Sequence, residues 1–151
     1  MLEDIIYDVK KLKSKAMYFL ARREYGVQEL TAKLSKYTED SDLIDKVIKD
    51  LIVNSYLSEQ RYVSSLVHSK QKKYGINKIR YILQNKQVDE SLISTELDTI
   101  ESQQQDSCRQ IWSKKFKELP QDQNEKNKQI RFLLYRGFAM SVIMQMFKDL
   151  K

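Results

Sequence analysis

The sequence predicts an all-α fold built from three tandem three-helix modules of about fifty residues each. Glycine and proline are scarce, with three and one in 151 residues, which argues against a β-rich fold with many turns. Apolar residues recur at helical spacing along the chain. This pattern also repeats at a fixed offset, so we expect one helical unit to occur three times.

The repeat is clearest at two Tyr-Gly pairs, Tyr25-Gly26 and Tyr74-Gly75, which are 49 positions apart. An offset of 50 carries second-module residues onto third-module residues of similar class: Tyr62 onto Trp112, Leu66 onto Phe116, Leu83 onto Leu133, Lys86 onto Arg136, Val88 onto Phe138 and Ile93 onto Ile143. The predicted modules span 1–57, including an N-terminal extension, 58–105 and 106–151. Any two amphipathic helices match at some offset, but the shared Tyr-Gly pair favours a true repeat.

The middle module shows its three helices most plainly. Its first helix has an apolar stripe of Tyr62, Val63, Leu66 and Val67. Gly75 should then end that helix as a C′ or hinge glycine, at the joint with the second helix. The second helix has its stripe at Ile76, Ile79, Ile82 and Leu83. These spacings place two helices in residues 58–86.

The third helix of this module should begin at Asp89, which can cap it, with Val88 and Ile93 placed as a hydrophobic staple. Its buried face should contain Leu92, Ile93, Leu97 and Ile100. The module is therefore three short helices joined by short polar turns.

The outer modules vary the same plan. In the first, a polar turn "KYTEDSD" (36–42) precedes a helix, and the acids Asp40 and Asp42 should cap that helix. Its inward side is predicted to hold Leu43, Ile44, Val47, Ile48, Leu51 and Ile52. In the third, the connection "ELPQDQNEKN" (118–127) replaces the glycine, and Pro120 should stop the preceding helix.

Composition narrows the function classes. The chain has 27 basic and 21 acidic residues, a net charge of +6, and a pI near 9.2. Nucleic acid, an anionic membrane surface or an acidic protein would suit this charge. The membrane option is weak because no apolar run approaches the roughly 20 residues needed to span a bilayer, and no signal-peptide core is visible.

Catalytic and metal chemistry has little support in the sequence. Cys108 and His68 are the one cysteine and the one histidine, so neither a disulfide nor a conventional zinc site has its ligands. We expect Cys108 to be an ordinary buried or helix-surface residue and His68 to be exposed. There is no phosphate-binding glycine loop, no G-x-S-x-G and no Cys–His pair. The sequence therefore predicts a non-enzyme without a cofactor, suited to a reducing cytoplasm.

Four blocks occur in a defined order: "AMYFLARREYGVQELTAKL" (16–34), "YLSEQRYV" (56–63), "SKQKKYGINKIRYILQNKQV" (69–88) and "IRFLLYRGF" (130–138). Together they resemble the RecX family, bacterial modulators of the RecA recombinase. The matching positions are Ala16, Leu20, Ala21, Arg23, Glu29, Leu30, Lys33, Leu34, Arg131, Phe132, Leu133, Arg136, Gly137 and Phe138. The chain departs from the family at Glu59 (usually Asp), Val63 (usually Ala) and Gln87 (usually Gly), which puts the turn at 87 in question.

The resemblance implies an elongated, curved, all-α modular protein that lies in the groove of the RecA–single-stranded-DNA filament. Such a protein blocks filament growth or promotes disassembly, and it lowers ATP hydrolysis and strand exchange. It needs no catalytic site or cofactor of its own. The implied partners are RecA and its filament. Because the chain lacks a heptad seam, a monomer is expected.

The charge pattern is compatible with that role. No acidic residue lies between Glu59 and Asp89, and the span carries only positive charge at Arg61, Lys70, Lys72, Lys73, Lys78, Arg80 and Lys86. The third module adds the candidate contacts Lys114, Lys115, Arg131 and Arg136. Such a stretch suits phosphates or acidic side chains, although a solvated charged face is the alternative. Lys70 and Lys73 should share one helix face.

Tyr62, Tyr74 and Tyr81 lie among these cations and could stack on bases, but Tyr62 and Tyr81 are expected to pack in the core instead. Two other functions stay open. One is a direct nucleic-acid-binding protein with helix-turn-helix-like modules, which would bind single-stranded or duplex DNA with steep salt dependence. The other is a helical-repeat scaffold for an uncharged partner, with weak salt dependence.

Overall fold

The computed structural model describes residues 5–151, and within that range the protein is all-α with no strand. The helices are α1 Val9–Leu20, α2 Val27–Leu34, α3 Ser41–Val53, α4 Glu59–Lys70, α5 Ile76–Asn85, α6 Glu90–Asp98, α7 Gln104–Lys115, α8 Gln123–Tyr135 and α9 Met140–Asp149, with a single 3-10 turn at Glu101–Gln103. They follow the predicted order of three helices per module. The all-α prediction is confirmed.

Aspartate side chains start four of these helices. Asp8, Asp40, Asp89 and Asp122 are the N-caps of α1, α3, α6 and α8, and each carboxylate accepts a hydrogen bond from a backbone N–H in the first turn. A cap of this kind satisfies one of the N–H groups that a helix start leaves unpaired. The predicted caps at Asp40 and Asp89 are confirmed, whereas Asp42 lies inside the first turn of α3 and is not its cap. Hydrogen bonds from the backbone N–H and hydroxyl of Ser91 lower the pKa of the Asp89 carboxyl.

Internal contacts divide the chain into an N-terminal unit, residues 1–65, and a C-terminal unit, residues 66–151. The core of the N-terminal unit includes Leu12, Ala16, Leu30, Leu34 and Leu51. The inward side of α3 is as predicted except at its end, where Ile52 is 45% exposed. Ile52 lies in the last turn of α3, one step beyond the i, i+1, i+4, i+5, i+8 stripe that packs, so the prediction for this residue is wrong.

Of the apolar positions predicted to face inward from α5 and α6, the C-terminal unit buries Ile79, Leu83, Ile93, Leu97 and Ile100. The remaining three, Ile76, Ile82 and Leu92, are half-buried. Another cluster comes from α7, α8 and α9 and consists of Cys108, Ile111, Trp112, Leu133, Phe138, Ile143, Met146 and Phe147. Phe116 is partly buried against this cluster. The indole Nε1–H of Trp112 donates to Oε1 of buried Gln129 at 2.7 Å.

Gly26 and Gly75 do mark the joints between the first and second helices, but not as C′ glycines. They are the N-caps of α2 and α5 and have extended backbone, with φ of −75° and −85°. What excludes a side chain is close packing. A Cβ on Gly26 would lie 2.7 Å from the ring of Tyr62, and one on Gly75 would lie 2.6 Å from the carbonyl oxygen of Gly137.

The same joint carries a repeated hydrogen bond. The N–H of Val27, the first residue of α2, donates to Oε1 of Glu59 at 3.0 Å, and the N–H of Ile76, the first residue of α5, donates to Oε1 of Gln104 at 3.0 Å. Glu59 and Gln104 are the first residues of α4 and α7. In both cases the start of one module's second helix is therefore capped by the start of the next module's first helix.

Matching turns end α5 and α8. Gln87 and Gly137 have left-handed backbone, with φ of 61° and 101°. The N–H of the next residue donates to the carbonyl oxygen five residues earlier, from Val88 to Leu83 (3.2 Å) and from Phe138 to Leu133 (3.1 Å), as in a Schellman C-cap. The turn at 87 therefore keeps the geometry that favours glycine, although glutamine occupies it.

Candidate anion-binding surface

Five of the predicted contact residues come together in the C-terminal unit. Lys72, Lys73, Lys114, Lys115 and Arg136 line a groove of about 280 Å³, with Ile111 and Phe132 as its apolar lining. We call this the basic groove. Lys72 and Lys73 lie in the turn after α4. Lys114 and Lys115 are in the last turn of α7, and Arg136 is the C-cap of α8. Cations in these places also complement the negative ends of α7 and α8.

Arg136 is fixed in position by backbone and aromatic contacts. Its Nη1 donates to the carbonyl oxygen of Lys73 at 3.3 Å. Its guanidinium carbon lies 5.1 Å from the ring centroid of Phe132 and 5.8 Å from that of Tyr74, distances at which cation–π attraction operates. The ammonium of Lys115 lies 5.7 Å from the Phe132 centroid. Phe132 therefore holds two cations at the groove.

The basic groove lacks compensating charge among residues 5–151. Its five cations form no ion pair within 4.0 Å in that range, and no carboxylate lines it. Like charges brought together around an apolar floor create a positive potential that attracts anions. The groove can accept phosphates or a row of carboxylates, with Arg136 able to bind either in bidentate fashion.

Two of the predicted cations have acidic partners from outside their stretch of sequence. Arg61 Nε lies 3.0 Å from Glu24 Oε1, and the same guanidinium donates to the carbonyl oxygen of Ser55 at 2.7 Å. Arg80 Nη1 lies 2.5 Å from Glu90 Oε1. The inference that the whole stretch lacks counter-charge is therefore wrong, because folding brings acids that the local sequence does not contain.

The other predicted cations lie outside the groove lining. Lys70 is the last residue of α4, so Lys70 and Lys73 do not share one helix face, contrary to prediction. Lys86 is the exposed C-cap of α5, and Arg131 is exposed on α8. Lys78, near the start of α5, lies against two tyrosine rings.

The tyrosines near the predicted cations differ in whether they are buried or exposed, and one of them differs from the prediction. Tyr62 is 6% exposed and packs as predicted, whereas Tyr81 is 56% exposed, so its assignment to the core is wrong. It falls on α5 two positions after buried Ile79, which puts it on the opposite side of the helix. Tyr135, which the sequence reasoning did not single out, is 79% exposed. Its place two residues after core Leu133 is the signal that could have identified it.

The N-terminal unit contains a cation–aromatic cluster that the sequence reasoning also missed. The ammonium of Lys15 lies 4.7 to 6.0 Å from the ring centroids of Tyr18, Phe19 and Tyr37, and that of Lys33 lies 5.1 Å from Phe19. The i, i+3 and i+4 spacing of Lys15 to the first two rings was the available signal.

The cysteine and the histidine of the described chain lie in ordinary structural surroundings. Cys108 is buried, as expected, and burial raises the pKa of its thiol to about 12. His68 is exposed, also as expected. Residues 5–151 contain no group of three His, Cys, Asp or Glu side chains arranged to hold a metal ion. Within that range, no helix has the length and apolar character required to cross a membrane.

Comparison with known proteins adds family matches over most of the chain. Models of the first, second and third three-helix domains of RecX match residues 13–51, 58–97 and 101–147. A regulatory protein RecX from Acinetobacter baylyi is 41% identical over 138 residues, which cover 89% of this chain and 85% of that protein. One from Leptothrix cholodnii is 34% identical over 137 residues, covering 91% and 87%.

Solved structures agree on the fold. The crystal structure of RecX from Lactobacillus salivarius has a TM-score of 0.81 at 20% identity and covers 94% of this chain and 96% of that one. A second crystal structure of a regulatory protein RecX has a TM-score of 0.78 at 22% identity, covering 93% and 73%. These proteins therefore share the fold of this chain.

Proposed function

The chain belongs to the RecX family of regulatory proteins, and we propose that it binds the RecA–single-stranded-DNA filament and inhibits filament extension, ATP hydrolysis and strand exchange. The observation that carries this proposal is the basic groove. A filament presents DNA phosphates and acidic protein side chains, and both need a positive surface whose charge is not already neutralised.

The groove residues are assigned the main contact: Lys72, Lys73, Lys114, Lys115 and Arg136. Lys78 contributes at the neighbouring tyrosines, and Lys70, Lys86 and Arg131 are auxiliary positives. Arg61 and Arg80 remain proposed contacts, each of which would have to exchange Glu24 or Glu90 for the partner. Exposed ion pairs contribute only about 0–1 kcal/mol, so such an exchange costs little.

Inhibition by this route requires no catalysis. A protein that binds one state of a filament more tightly than another shifts the filament toward that state, and the hydrolysis rate falls as a result. We also propose that the protein is not an enzyme, needs no cofactor, and acts as a monomer in the cytoplasm. Its proposed modules are 1–57, 58–105 and 106–151, which gives the basic groove contributions from the second and third modules.

The test is RecA ATP hydrolysis on single-stranded DNA with this protein titrated below one copy per recombinase monomer. The wild-type protein should inhibit at substoichiometric ratios. The paired variants K72Q/K73Q and K114Q/K115Q should each need about tenfold more protein, because losing charged contacts worth about 1.4 kcal/mol changes binding by that factor.

The matched control is K46Q/K49Q, which removes the same charge from exposed positions of α3 and should inhibit like the wild type. No inhibition by the folded wild-type protein would refute the proposed function. Equal inhibition by the groove variants and the control would leave the function standing but remove the groove from it.

Direct nucleic-acid binding is the second candidate, and the basic groove also favours it. Filament binding and direct nucleic-acid binding differ in whether binding requires the recombinase and in how strongly the affinity depends on salt. Binding to bare DNA should weaken with a slope of about −0.7 to −0.9 in log–log terms for each phosphate neutralised. Tight, steeply salt-dependent binding to bare DNA, with no effect on RecA, would favour the second candidate.

A further inference from the structure

Two exposed tyrosine rings lie close to the ammonium group of one lysine in the C-terminal unit. Tyr81 is 56% exposed and Tyr135 is 79% exposed. The ammonium nitrogen of Lys78 lies 5.4 Å from the first ring centroid and 5.6 Å from the second. We call these three residues the tyrosine site.

Nothing in residues 5–151 occupies the open sides of these rings. Neither tyrosine is in contact with another aromatic ring, and neither hydroxyl makes a hydrogen bond, in that range. Lys78 forms no ion pair within 4.0 Å there. Two large ring surfaces and a positive charge are therefore available to a ligand.

The tyrosine site is held by the tight joint between α5 and α8. The N–H of Gly75 donates to the carbonyl oxygen of Arg136 at 2.8 Å, and the N–H of Asn77 donates to that of Gly137 at 2.9 Å. A Cβ at Gly137 would lie 2.4 Å from the backbone nitrogen of Lys78, so the two helix ends cannot be packed more closely. The backbone next to Tyr135 is thereby held close to Lys78, and a site with a fixed backbone loses less entropy on binding.

The chemistry of the site suits unpaired nucleobases. Every base has a π face that stacks on an aromatic ring, and a nearby cation attracts the phosphate that each nucleotide carries. Arg136, which directly follows Tyr135, lines the basic groove, so a strand whose bases reach the tyrosines has positive charge beside it. Bases in a duplex are already stacked on each other and do not present these faces.

We propose that Tyr81 and Tyr135, with Lys78 close to both rings, form a stacking site for unpaired bases of single-stranded nucleic acid. The site would bind without recombinase, and it deepens the direct nucleic-acid binding named above as the second candidate function, on which it rests. A protein partner is the competing occupant, since Leu134, Met140 and Met144 are also exposed. The positive charge at Lys78 and Arg136 favours the nucleic acid.

The test compares two probes of equal length and phosphate count, oligo(dT) and an abasic oligonucleotide, by fluorescence anisotropy without recombinase. The wild-type protein should bind oligo(dT) more tightly than the abasic strand. Y81A and Y135A should each weaken oligo(dT) binding by about 5- to 100-fold and leave abasic binding unchanged. Y81F and Y135F keep the ring and should bind oligo(dT) like the wild type.

Y56A is the matched control, because Tyr56 is an exposed tyrosine of the N-terminal unit without a cation over its ring in residues 5–151; it should bind both probes like the wild type. Equal affinity of the wild type for both probes, or no binding of oligo(dT), would overturn the proposal. So would alanine variants that keep oligo(dT) binding but lose RecA inhibition, which would assign the rings to a protein partner. A wild type that prefers oligo(dT) but does not inhibit RecA would refute the proposed function alone.

Discussion

Replacing Gly137 by alanine should destabilise the C-terminal unit far more than a single methyl group usually does. Gly137 has a φ of 101°, and its added Cβ would lie 2.4 Å from both the backbone nitrogen and the Cβ of Lys78. Neither atom is the flexible end of a side chain. The helix ends of α5 and α8 would have to separate.

The cost can be worked out from the contacts at this joint. A left-handed conformation costs a non-glycine residue about 1–2 kcal/mol, and overpacking costs about 1–3 kcal/mol. Separation would also weaken the hydrogen bonds from Gly75 to Arg136 and from Asn77 to Gly137, each worth about 0.5–1.5 kcal/mol. These effects overlap, and we expect a loss of about 3–5 kcal/mol in the free energy of unfolding.

Trp112 makes this measurable, because it is the one tryptophan and is buried in the C-terminal unit. Urea unfolding followed by its fluorescence should show the loss for G137A. The matched control is position 87, which has the same left-handed turn but is exposed. Q87A should change stability by less than about 0.5 kcal/mol, and Q87G should raise it by about 0.5–1 kcal/mol by removing strain.

A G137A protein within about 1 kcal/mol of the wild type would refute this reasoning, since the joint would then tolerate a side chain. A Q87G protein less stable than the wild type would show that the turn at 87 is not strained by its glutamine.

Three further outcomes follow from other contacts. E59A should lower stability by about 1–2 kcal/mol and speed hydrogen exchange at the Val27 amide, whose N–H loses its acceptor; unchanged exchange would contradict the cap. Cys108, with a pKa raised to about 12 by burial, should resist a thiol reagent at pH 8 until the protein is unfolded in urea; rapid labelling of the native protein would contradict its burial. Q129L should cost about 1–3 kcal/mol because the buried Trp112 N–H loses its partner, and an unchanged urea midpoint would show that another acceptor replaces it.

Much of the fold could be predicted from the sequence because periodicity and capping act over a few residues. The stripes of α4, α5 and α6 and the caps at Asp40 and Asp89 depend on local spacing alone. Gly75 was located correctly but explained wrongly. Glycine is required at position 75 because the backbone of Gly137, 62 positions along the chain, packs against it. No local sequence pattern predicts such a long-range contact.

The candidate site was predictable only in part for the same reason. Runs of lysine identified the cations, yet the sequence could not say which would meet around Phe132 and which would pair with acids. Arg80 pairs with Glu90, which is ten residues away and just beyond the acid-free stretch that ends at Asp89. The exposure of Tyr81 and Tyr135 depends on which side of each helix packs, and the side was misjudged for Tyr81.

The most direct test of the central claim is the affinity of this protein for a RecA filament compared with bare single-stranded DNA of the same length. Filaments held with a non-hydrolysable ATP analogue would be used, at one fixed salt concentration. We expect the filament to bind more tightly, and K72Q/K73Q to lose more affinity for it than K46Q/K49Q. The account would be contradicted if the protein bound the filament and bare DNA with equal affinity and if K72Q/K73Q and K46Q/K49Q had the same affinity for the filament.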